Sequence, residues 1–212
     1  MVEHLARALM SARHPLPLLH HHPHQAAWRM GVLFAVGSVC FAVASFVSQW
    51  AAVTRPGIGV TFFVGSIFFT TAAFVQLRAA ETRGDRIASL IQFAGTLFFN
   101  VSTFAAMNTA LDAEQVDLRV WTPDVFGSIC FLVSSWLAYV AVSRPSTEWR
   151  IGVLNLVGSV FFGISAAAAL VQPSDSEPVS AAVANAGTTA GALCFLAGAL
   201  LLIPGGTTHV DP

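Results

Sequence analysis

Six long apolar segments, each about long enough to cross a lipid bilayer, are the feature that most restricts how this chain can fold. A transmembrane helix needs roughly 20 mostly apolar residues. The segments cover 30–53, 58–77, 87–109, 124–143, 150–172 and 180–203. Asp124 and Arg150 are their only Asp, Glu, Lys or Arg residues, and each is the first residue of its segment. The sequence therefore predicts an all-α integral membrane protein with six transmembrane helices.

The start of the fourth segment carries the residue types of a helix N-terminus. Thr122 is a favoured N-cap residue, and Pro123 tolerates the first turn because its missing N–H would be unpaired there anyway. Asp124 would then face the positive end of the helix dipole. We expect this helix to begin at Thr122, so that Asp124 lies at the membrane surface.

The composition excludes several function classes. Charged residues make up 10% of the chain and apolar residues 55%, whereas an ordinary soluble domain has about 25% charged residues. A soluble enzyme or a disordered protein is therefore not expected. The ten basic residues are all arginines and form no block that could neutralise a run of phosphates, so nucleic acid is not an expected partner.

The arginine distribution indicates how the segments are oriented, because cytoplasmic loops carry an excess of positive charge. Eight of the ten arginines fall on one side of the membrane, and Arg55 and Arg119 fall on the other. We therefore expect both termini to be cytoplasmic: a His/Pro-rich, partly disordered tail over 1–28 and a short tail over 204–212. The loop 110–123 is expected to be acidic and to lie outside.

Every segment carries one five-residue motif: Gly, a small residue, an aliphatic residue, Cys or Phe, and Phe. The motif glycines are Gly37, Gly65, Gly95, Gly127, Gly158 and Gly191. The motif phenylalanines are Phe41, Phe69, Phe99, Phe131, Phe162 and Phe195. Small residues let membrane helices approach closely, so the glycines are predicted to pack helices together. An alternative is that the phenylalanines form a ring near the midplane that gates a pore.

The two halves of the chain also resemble each other. Residues 37–56 run from Gly-Ser-Val-Cys-Phe to Ala-Val-Thr-Arg-Pro, and residues 127–145 run from Gly-Ser-Ile-Cys-Phe to Ala-Val-Ser-Arg-Pro. Each half crosses the membrane an odd number of times, so the halves would have opposite orientations, as in many transporters. We expect two inverted three-helix repeats, 29–109 and 124–203. Duplication also produces membrane assemblies that transport nothing.

Polar side chains in the third and fifth segments are the candidate solute-binding residues. Gln92, Thr96 and Asn100 follow one another at four-residue intervals, as do Asn155 and Ser159, which places each set on one helix face. An amide in hydrocarbon is costly unless it finds a partner or water, so these amides should face the protein interior. They either hydrogen-bond across helices or line a polar cavity for a small neutral solute.

Three cysteines and a histidine tract are the candidate metal ligands. Cys40, Cys130 and Cys194 occupy the fourth motif position, which is Phe in the other three segments, so we expect packing sites there and no metal centre. The tract consists of His20, His21, His22 and His24. It lacks the spacing of a defined zinc site. Weak metal capture is therefore the alternative to a solvated tail, and no cofactor is expected.

The repeated Gly-Ser-x-x-Phe motif on paired apolar helices resembles the YrhK-like family of small bacterial membrane domains. The resemblance is clearest at 36–41, 64–69 and 156–162, and weakest in the sixth segment, where Ala192 replaces Ser or Thr. It implies a bacterial cytoplasmic membrane location, and it assigns no activity, cofactor or site residue.

Two functions follow as expectations. The first is transporter-like or channel-like passage of a small neutral solute, since no charged side chain is expected inside a span, where a proton-driven pump usually has one. The second is a structural or accessory membrane protein that acts through helix packing with a partner. An enzyme is not expected, because the chain lacks the common catalytic motifs. The expected contacts are the lipid bilayer and either a second copy or a membrane partner protein.

Overall fold

Six long helices form the protein in a computed structural model that describes residues 26–48, 55–172 and 177–203. The helices are α1 (Ala26–Val47), α2 (Arg55–Ala79), α3 (Arg83–Ala106), α4 (Ala113–Ala141), α5 (Thr147–Ala168) and α6 (Ala181–Leu202). All six are long and apolar enough to span a membrane. Within the described ranges the chain contains no strand, only an isolated bridge between Val171 and Pro178. The predicted histidine tract, most of the N-terminal tail and the tail 204–212 lie outside the described residues.

Serine or threonine hydroxyls cap the N-termini of three of the helices. The Thr82 hydroxyl accepts a hydrogen bond from the Asp85 backbone N–H over 3.1 Å at the start of α3. The Ser146 hydroxyl accepts from the Trp149 N–H over 3.0 Å at the start of α5, and the Ser180 hydroxyl does the same at the start of α6. Each bond pairs a donor that the first helical turn would otherwise leave unsatisfied.

The fourth helix begins nine residues before the predicted start. It runs from Ala113 to Val116 as α-helix, passes through a π-helical turn over Asp117–Trp121, and continues as α-helix from Thr122. Thr122 is not an N-cap, because the chain before it is already helical and its hydroxyl donates to the Asp117 carbonyl over 2.8 Å. Asp124 therefore lies within the long helix rather than at its first turn. The predicted loop 110–123 is helical over most of its length.

The helices form a closed ring. Each helix packs against its neighbours in the sequence, and α6 packs against α1. The Ser45 and Thr189 hydroxyls hydrogen-bond over 2.8 Å across the α1–α6 seam. Because the first and last helices meet, the ring encloses a central axis.

The motif glycines define three hairpins within the ring: α1–α2, α3–α4 and α5–α6. In each hairpin the two glycines face each other, so that a methyl group on Gly37 would lie 3.0 Å from the Gly65 carbonyl oxygen. The corresponding distance is 3.1 Å from Gly127 to the Gly95 carbonyl oxygen. Such contacts let the helix backbones approach closely, which is how lipid-embedded helices associate.

The six motif phenylalanines fill the centre of the ring in two triangular layers. Phe41, Phe99 and Phe162, from the odd-numbered helices, form one layer with ring centroids 5.9–6.4 Å apart. The even-numbered helices form the second layer from Phe69, Phe131 and Phe195, with centroids 5.6–6.2 Å apart. The layers join within each hairpin at 5.0–5.4 Å. All six rings are buried, and together they form what we call the Phe cluster.

Two small residues follow each motif phenylalanine, at the third and fourth positions after it. They are Ala44–Ser45, Ala72–Ala73, Ser102–Thr103, Ser134–Ser135, Ser165–Ala166 and Gly198–Ala199. All twelve are buried. Hydroxyls at these positions link neighbouring hairpins, since Thr103 bonds to Ser66 over 3.0 Å and Ser135 bonds to Ser159 over 2.9 Å. The motif is thus longer than five residues.

The outward faces of the helices are apolar. Leu90 is 55% exposed, Phe104 62% and Leu200 54%, and a soluble protein would not leave such a continuous apolar surface in water. The surface fits contact with a lipid bilayer. The arrangement is that of a multi-pass membrane protein, and an inverted three-helix repeat within it stays a prediction.

Candidate functional site

A cavity of about 270 Å³ lies on the ring axis at the end where α1, α3 and α5 begin. All six helices contribute to its wall: α1, α3 and α5 through residues near their N-termini, and α2, α4 and α6 through residues near their C-termini. It is open at that end of the bundle. We call this cavity the vestibule.

Helices α3 and α5 contribute matching pairs of polar residues to the vestibule. In α3 the pair is Asp85 and Gln92, and in α5 it is Glu148 and Asn155. Each amide lies three residues before its motif glycine and each carboxylate seven residues before that amide. Seven residues are close to two helical turns, so the carboxylate and the amide share a face and lie about 10 Å apart along the axis. The carboxylates stand at the mouth and the amides lie deeper.

The third odd-numbered helix, α1, has apolar residues at the positions that are polar in α3 and α5. At the positions of the carboxylate and the amide, α1 has Ala27 and Phe34. Phe34 lines the vestibule and packs against Phe69 with ring centroids 5.7 Å apart. Phe195 also lines the vestibule and belongs to the Phe cluster. The floor of the vestibule is therefore the near side of that cluster.

The even-numbered helices contribute one more amide. Eleven residues after their motif glycines they carry Gln76, Ala138 and Leu202, and all three line the vestibule. The wall thus contains three amides and two carboxylates on an otherwise apolar surface. Such a combination, with few polar groups placed at defined points of an apolar cavity, is typical of small-molecule sites.

No arginine lines the vestibule among the described residues, although several lie at the same end of the bundle. Arg78 and Arg86 line a separate groove that also includes Phe74, Leu77 and Leu90. The Arg144 guanidinium lies over the Tyr139 ring, 4.8 Å from its centroid, and donates to the Tyr139 hydroxyl. The charged groups that line the vestibule are therefore both negative.

The structure separates the five predicted solute-binding residues. Gln92 and Asn155 line the vestibule. Thr96 and Ser159 are fully buried between helices, where Thr96 donates to the Phe93 carbonyl over 2.7 Å and Ser159 to the Asn155 carbonyl over 2.8 Å. Asn100 lies outside the vestibule and donates to the Thr70 hydroxyl over 2.9 Å. Only two of the five therefore share a cavity.

Asn100 keeps one unpaired group. Its side-chain oxygen is buried without a hydrogen-bond partner, while its nitrogen joins α3 to α2 through Thr70. Asn100 and Asn155, two of the three amides predicted to face the interior, do not bond to each other. Asn100 thus acts between helices, whereas Asn155 lines the vestibule with its side-chain oxygen against Gly198 of α6.

Three polar residues of the vestibule were not among the predicted site residues: Gln76, Asp85 and Glu148. The two carboxylates fall outside the predicted apolar segments 87–109 and 150–172. Their spacing could have identified them, because both lie ten residues before a motif glycine. Gln76 carried no comparable signal, because the equivalent residues of α4 and α6 are apolar.

Asp124 occupies the register position of Gln92 and Asn155, three residues before a motif glycine. Since α4 runs in the opposite direction, this position lies at the opposite end of the bundle, where α2 and α6 carry Phe62 and Thr188. Phe62 packs on Phe41 with centroids 5.2 Å apart. A carboxylate therefore lies within a spanning helix on the far side of the Phe cluster.

The three cysteines lie at the hairpin crossings. A methyl group on Gly65 would come within 2.8 Å of Cys40 Cβ, and one on Gly95 within 2.8 Å of Cys130 Cβ. Cys194 contacts Gly158 in the third hairpin in the same way. Each cysteine thus packs in a different hairpin, and no group of three or more His, Cys, Asp or Glu side chains suited to a metal ion occurs among the described residues.

Comparisons with protein-family models, with curated proteins and with solved structures found no match to this chain.

Proposed function

We propose that the protein is a transporter-like membrane protein that admits a small polar solute into the vestibule and passes it along the ring axis. The observation that carries the proposal is the vestibule itself, a cavity on the axis in which Gln92 and Asn155 offer hydrogen bonds at the edge of the Phe cluster. The cluster separates this cavity from the other end of the bundle. Passage therefore requires the phenylalanine rings to move apart.

The sequence led us to expect a neutral solute because no charged residue was expected inside a span. That premise changes once Asp124 is placed within α4 and the carboxylates of Asp85 and Glu148 line the vestibule. The charged and polar residues of the vestibule wall then determine which solute charge is favoured. A proton-driven mechanism is therefore no longer disfavoured by the lack of an intramembrane carboxylate.

The second candidate is a structural or accessory membrane protein. The observation that favours it is the closely packed interior, in which six buried phenylalanines and hydroxyl pairs such as Ser66–Thr103 join the helices. In that case the vestibule is a surface for a partner helix or loop, and the polar residues serve stability alone.

Flux into liposomes separates the two candidates. Purified protein is reconstituted, and uptake of glycerol, urea and choline is followed against protein-free vesicles. A transporter accelerates the uptake of at least one of these solutes, and Asn155→Leu abolishes the acceleration while the protein stays folded. If uptake with wild-type protein equals uptake by empty vesicles for every solute, the accessory function is favoured.

The repeat that the sequence suggested belongs to the same proposal. The matching motifs of the halves 29–109 and 124–203 support an origin by duplication of a smaller unit, of either two or three helices. An inverted repeat relates its two halves by a rotation about an axis in the membrane plane. If α1, α2 and α3 follow one another clockwise around the ring, this rotation would place α4, α5 and α6 in counterclockwise order. The order observed runs from α1 to α6 in one direction, so the ring order favours the two-helix hairpin as the repeated unit. The inverted three-helix repeat stays a prediction.

The location and identity of the chain are proposed on the sequence. The resemblance to YrhK-like proteins supports a bacterial cytoplasmic membrane, and the arginine distribution supports cytoplasmic termini. With this orientation the vestibule opens to the cytoplasm. We propose no enzymatic activity and no cofactor for it.

A further inference from the structure

The charge of the vestibule wall points to the class of solute. Asp85 on α3 and Glu148 on α5 line the mouth on either side of α4. No arginine lines the cavity within the described part of the chain. A recess with apolar walls focuses the field of such charges and raises the local concentration of the opposite ion. The wall therefore favours a cation over a neutral molecule.

The three amides also favour a cation over a neutral molecule. The carbonyl oxygens of Gln76, Gln92 and Asn155 can each accept hydrogen bonds, and the two odd-helix amides lie directly below the two carboxylates. A ligand with an ammonium or hydroxyl group finds acceptors at both depths. The order from mouth to floor is thus carboxylate, amide and aromatic ring.

The remaining wall argues for an organic cation. Met30 and Phe34 make the α1 side of the vestibule apolar, and Phe195 adds an aromatic ring at the floor. Calcium needs six to eight oxygen ligands within about 2.6 Å, and magnesium needs its ligands closer still. The carboxylates lie about 10 Å from the amides along the axis, so these oxygens do not converge on one metal ion. Quaternary ammonium groups, in contrast, are attracted to aromatic faces.

The size of the cavity sets the scale of the ligand. A water molecule takes up about 30 Å³ in the liquid, so a cavity of about 270 Å³ has room for a ligand of a few heavy atoms together with some water. An ammonium ion of the size of choline fits this description.

We propose that the vestibule binds a small organic ammonium ion. Its charged group lies below the carboxylates of Asp85 and Glu148 and above the amides, and its apolar part contacts Phe34 and Phe195. The proposal rests on the proposed function, because it names the solute class of the same cavity. Asp85 also has a local role, as its carboxylate accepts a hydrogen bond from the Thr82 hydroxyl over 2.7 Å. Glu148 is therefore the cleaner residue to test.

The test compares choline with 3,3-dimethylbutan-1-ol, which has the same shape without the charge. Binding of both to purified full-length protein is measured by isothermal titration calorimetry. We expect choline to bind at least about tenfold more tightly than the neutral alcohol, and Glu148→Gln to weaken choline binding about fivefold with little change for the alcohol. The matched control is Glu114→Gln, an exposed glutamate in the first turn of α4 at the opposite end of the bundle, which should leave both affinities unchanged.

Three results would overturn the proposal. Equal affinity for choline and the alcohol would refute the cation preference and leave solute binding, and so the proposed function, intact. Displacement of choline by magnesium at equal concentration would assign the carboxylates to a metal ion. No binding of choline to wild-type protein would exclude this ligand class, and the flux of glycerol and urea into liposomes would then decide separately whether the proposed function fails.

Discussion

Gly191 and Gly158 face each other so closely at the α5–α6 crossing that a methyl group on Gly191 would lie 2.8 Å from the Gly158 carbonyl oxygen and 2.7 Å from Phe162 Cε1. Neither neighbour is a flexible side-chain end, so the helices would have to separate. We expect Gly191→Ala to destabilise the protein by about 1–3 kcal/mol through overpacking. Thermal unfolding in detergent measures the effect.

Gly163 provides the control, because a methyl group there would meet nothing within 4 Å. Gly163→Ala adds the same atom to the middle of α5 and should be neutral or stabilise the helix by up to about 1 kcal/mol. Equal losses for both variants would show that the motif glycines have no special packing role.

The Phe cluster provides the second prediction. Phe131 is 1% exposed and contacts Phe99 with ring centroids 5.0 Å apart. Phe131→Ala should cost about 3 kcal/mol or more, because it leaves a cavity that the rigid ring of helices fills only in part. If the cluster closes a transport path, the same variant should also raise passive uptake of small solutes into liposomes.

Phe126 lies on the same helix but is 50% exposed, which makes Phe126→Ala the matched control. It should lower the midpoint of thermal unfolding far less than Phe131→Ala and leave liposome uptake unchanged. Increased uptake with both variants would indicate general loosening of the bundle and would not support a gate.

Asn100 and Asn155 should respond differently to the same substitution. Asn100→Leu removes the 2.9 Å hydrogen bond to Thr70, so it should lower stability by about 0.6–2 kcal/mol and leave vestibule binding unchanged. Asn155→Leu should weaken solute binding, because this residue lines the vestibule. Unfolding and choline titration are measured on both variants, and a loss of binding with Asn100→Leu alone would contradict this assignment.

Cysteine labelling tests the orientation. Glu114 and Glu148 are exposed residues at the starts of α4 and α5, and α4 crosses the bilayer between them, so one of the two must face outward. The arginine distribution predicts that Glu114→Cys labels in intact cells with a membrane-impermeant reagent, whereas Glu148→Cys labels only after lysis. The background carries the substitutions Cys40→Ala, Cys130→Ala and Cys194→Ala. The reverse pattern would overturn the orientation but leave the fold unchanged.

Closure of the ring is testable by crosslinking. In the same cysteine-free background, Ser45→Cys with Thr189→Cys places two thiols where the hydroxyls lie 2.8 Å apart. We expect a disulfide on mild oxidation, seen as a mobility shift that reductant reverses. The pair Ser45→Cys and Ser135→Cys, which lies on two different seams, should stay reduced. A shift with the second pair and none with the first would refute the observed helix order.

Much of the architecture could be predicted from the sequence, because a membrane-spanning helix pairs its own backbone groups and needs only a long apolar segment. Five of the six helix starts fall within about four residues of prediction; the exception is α4. It extends back to Ala113 because the π-turn over Asp117–Trp121 continues the helix where Pro123 suggested a start. Local preference for a helix N-terminus was outweighed there by continuation of the backbone hydrogen bonds.

The candidate site could be predicted only in part. Gln92 and Asn155 were identified because amides stand out in an apolar segment, and the same reasoning also selected Asn100, Thr96 and Ser159, which lie between helices. A helix face is fixed by sequence spacing, but which face turns toward the axis depends on how the neighbouring helix packs. The carboxylates Asp85 and Glu148 were missed because charge near a segment end is usually solvated.

By itself the sequence determined that this chain is a six-helix membrane protein whose helices share one small-residue and phenylalanine motif. These are properties of single segments, set by hydrophobic length and by the period of the helix. Only the tertiary structure decided that α6 closes onto α1, that the motif phenylalanines stack in two layers, and that carboxylates and amides meet in one vestibule. Those outcomes depend on the rotation of each helix against two neighbours, and that rotation is set by close packing between residues far apart in the chain.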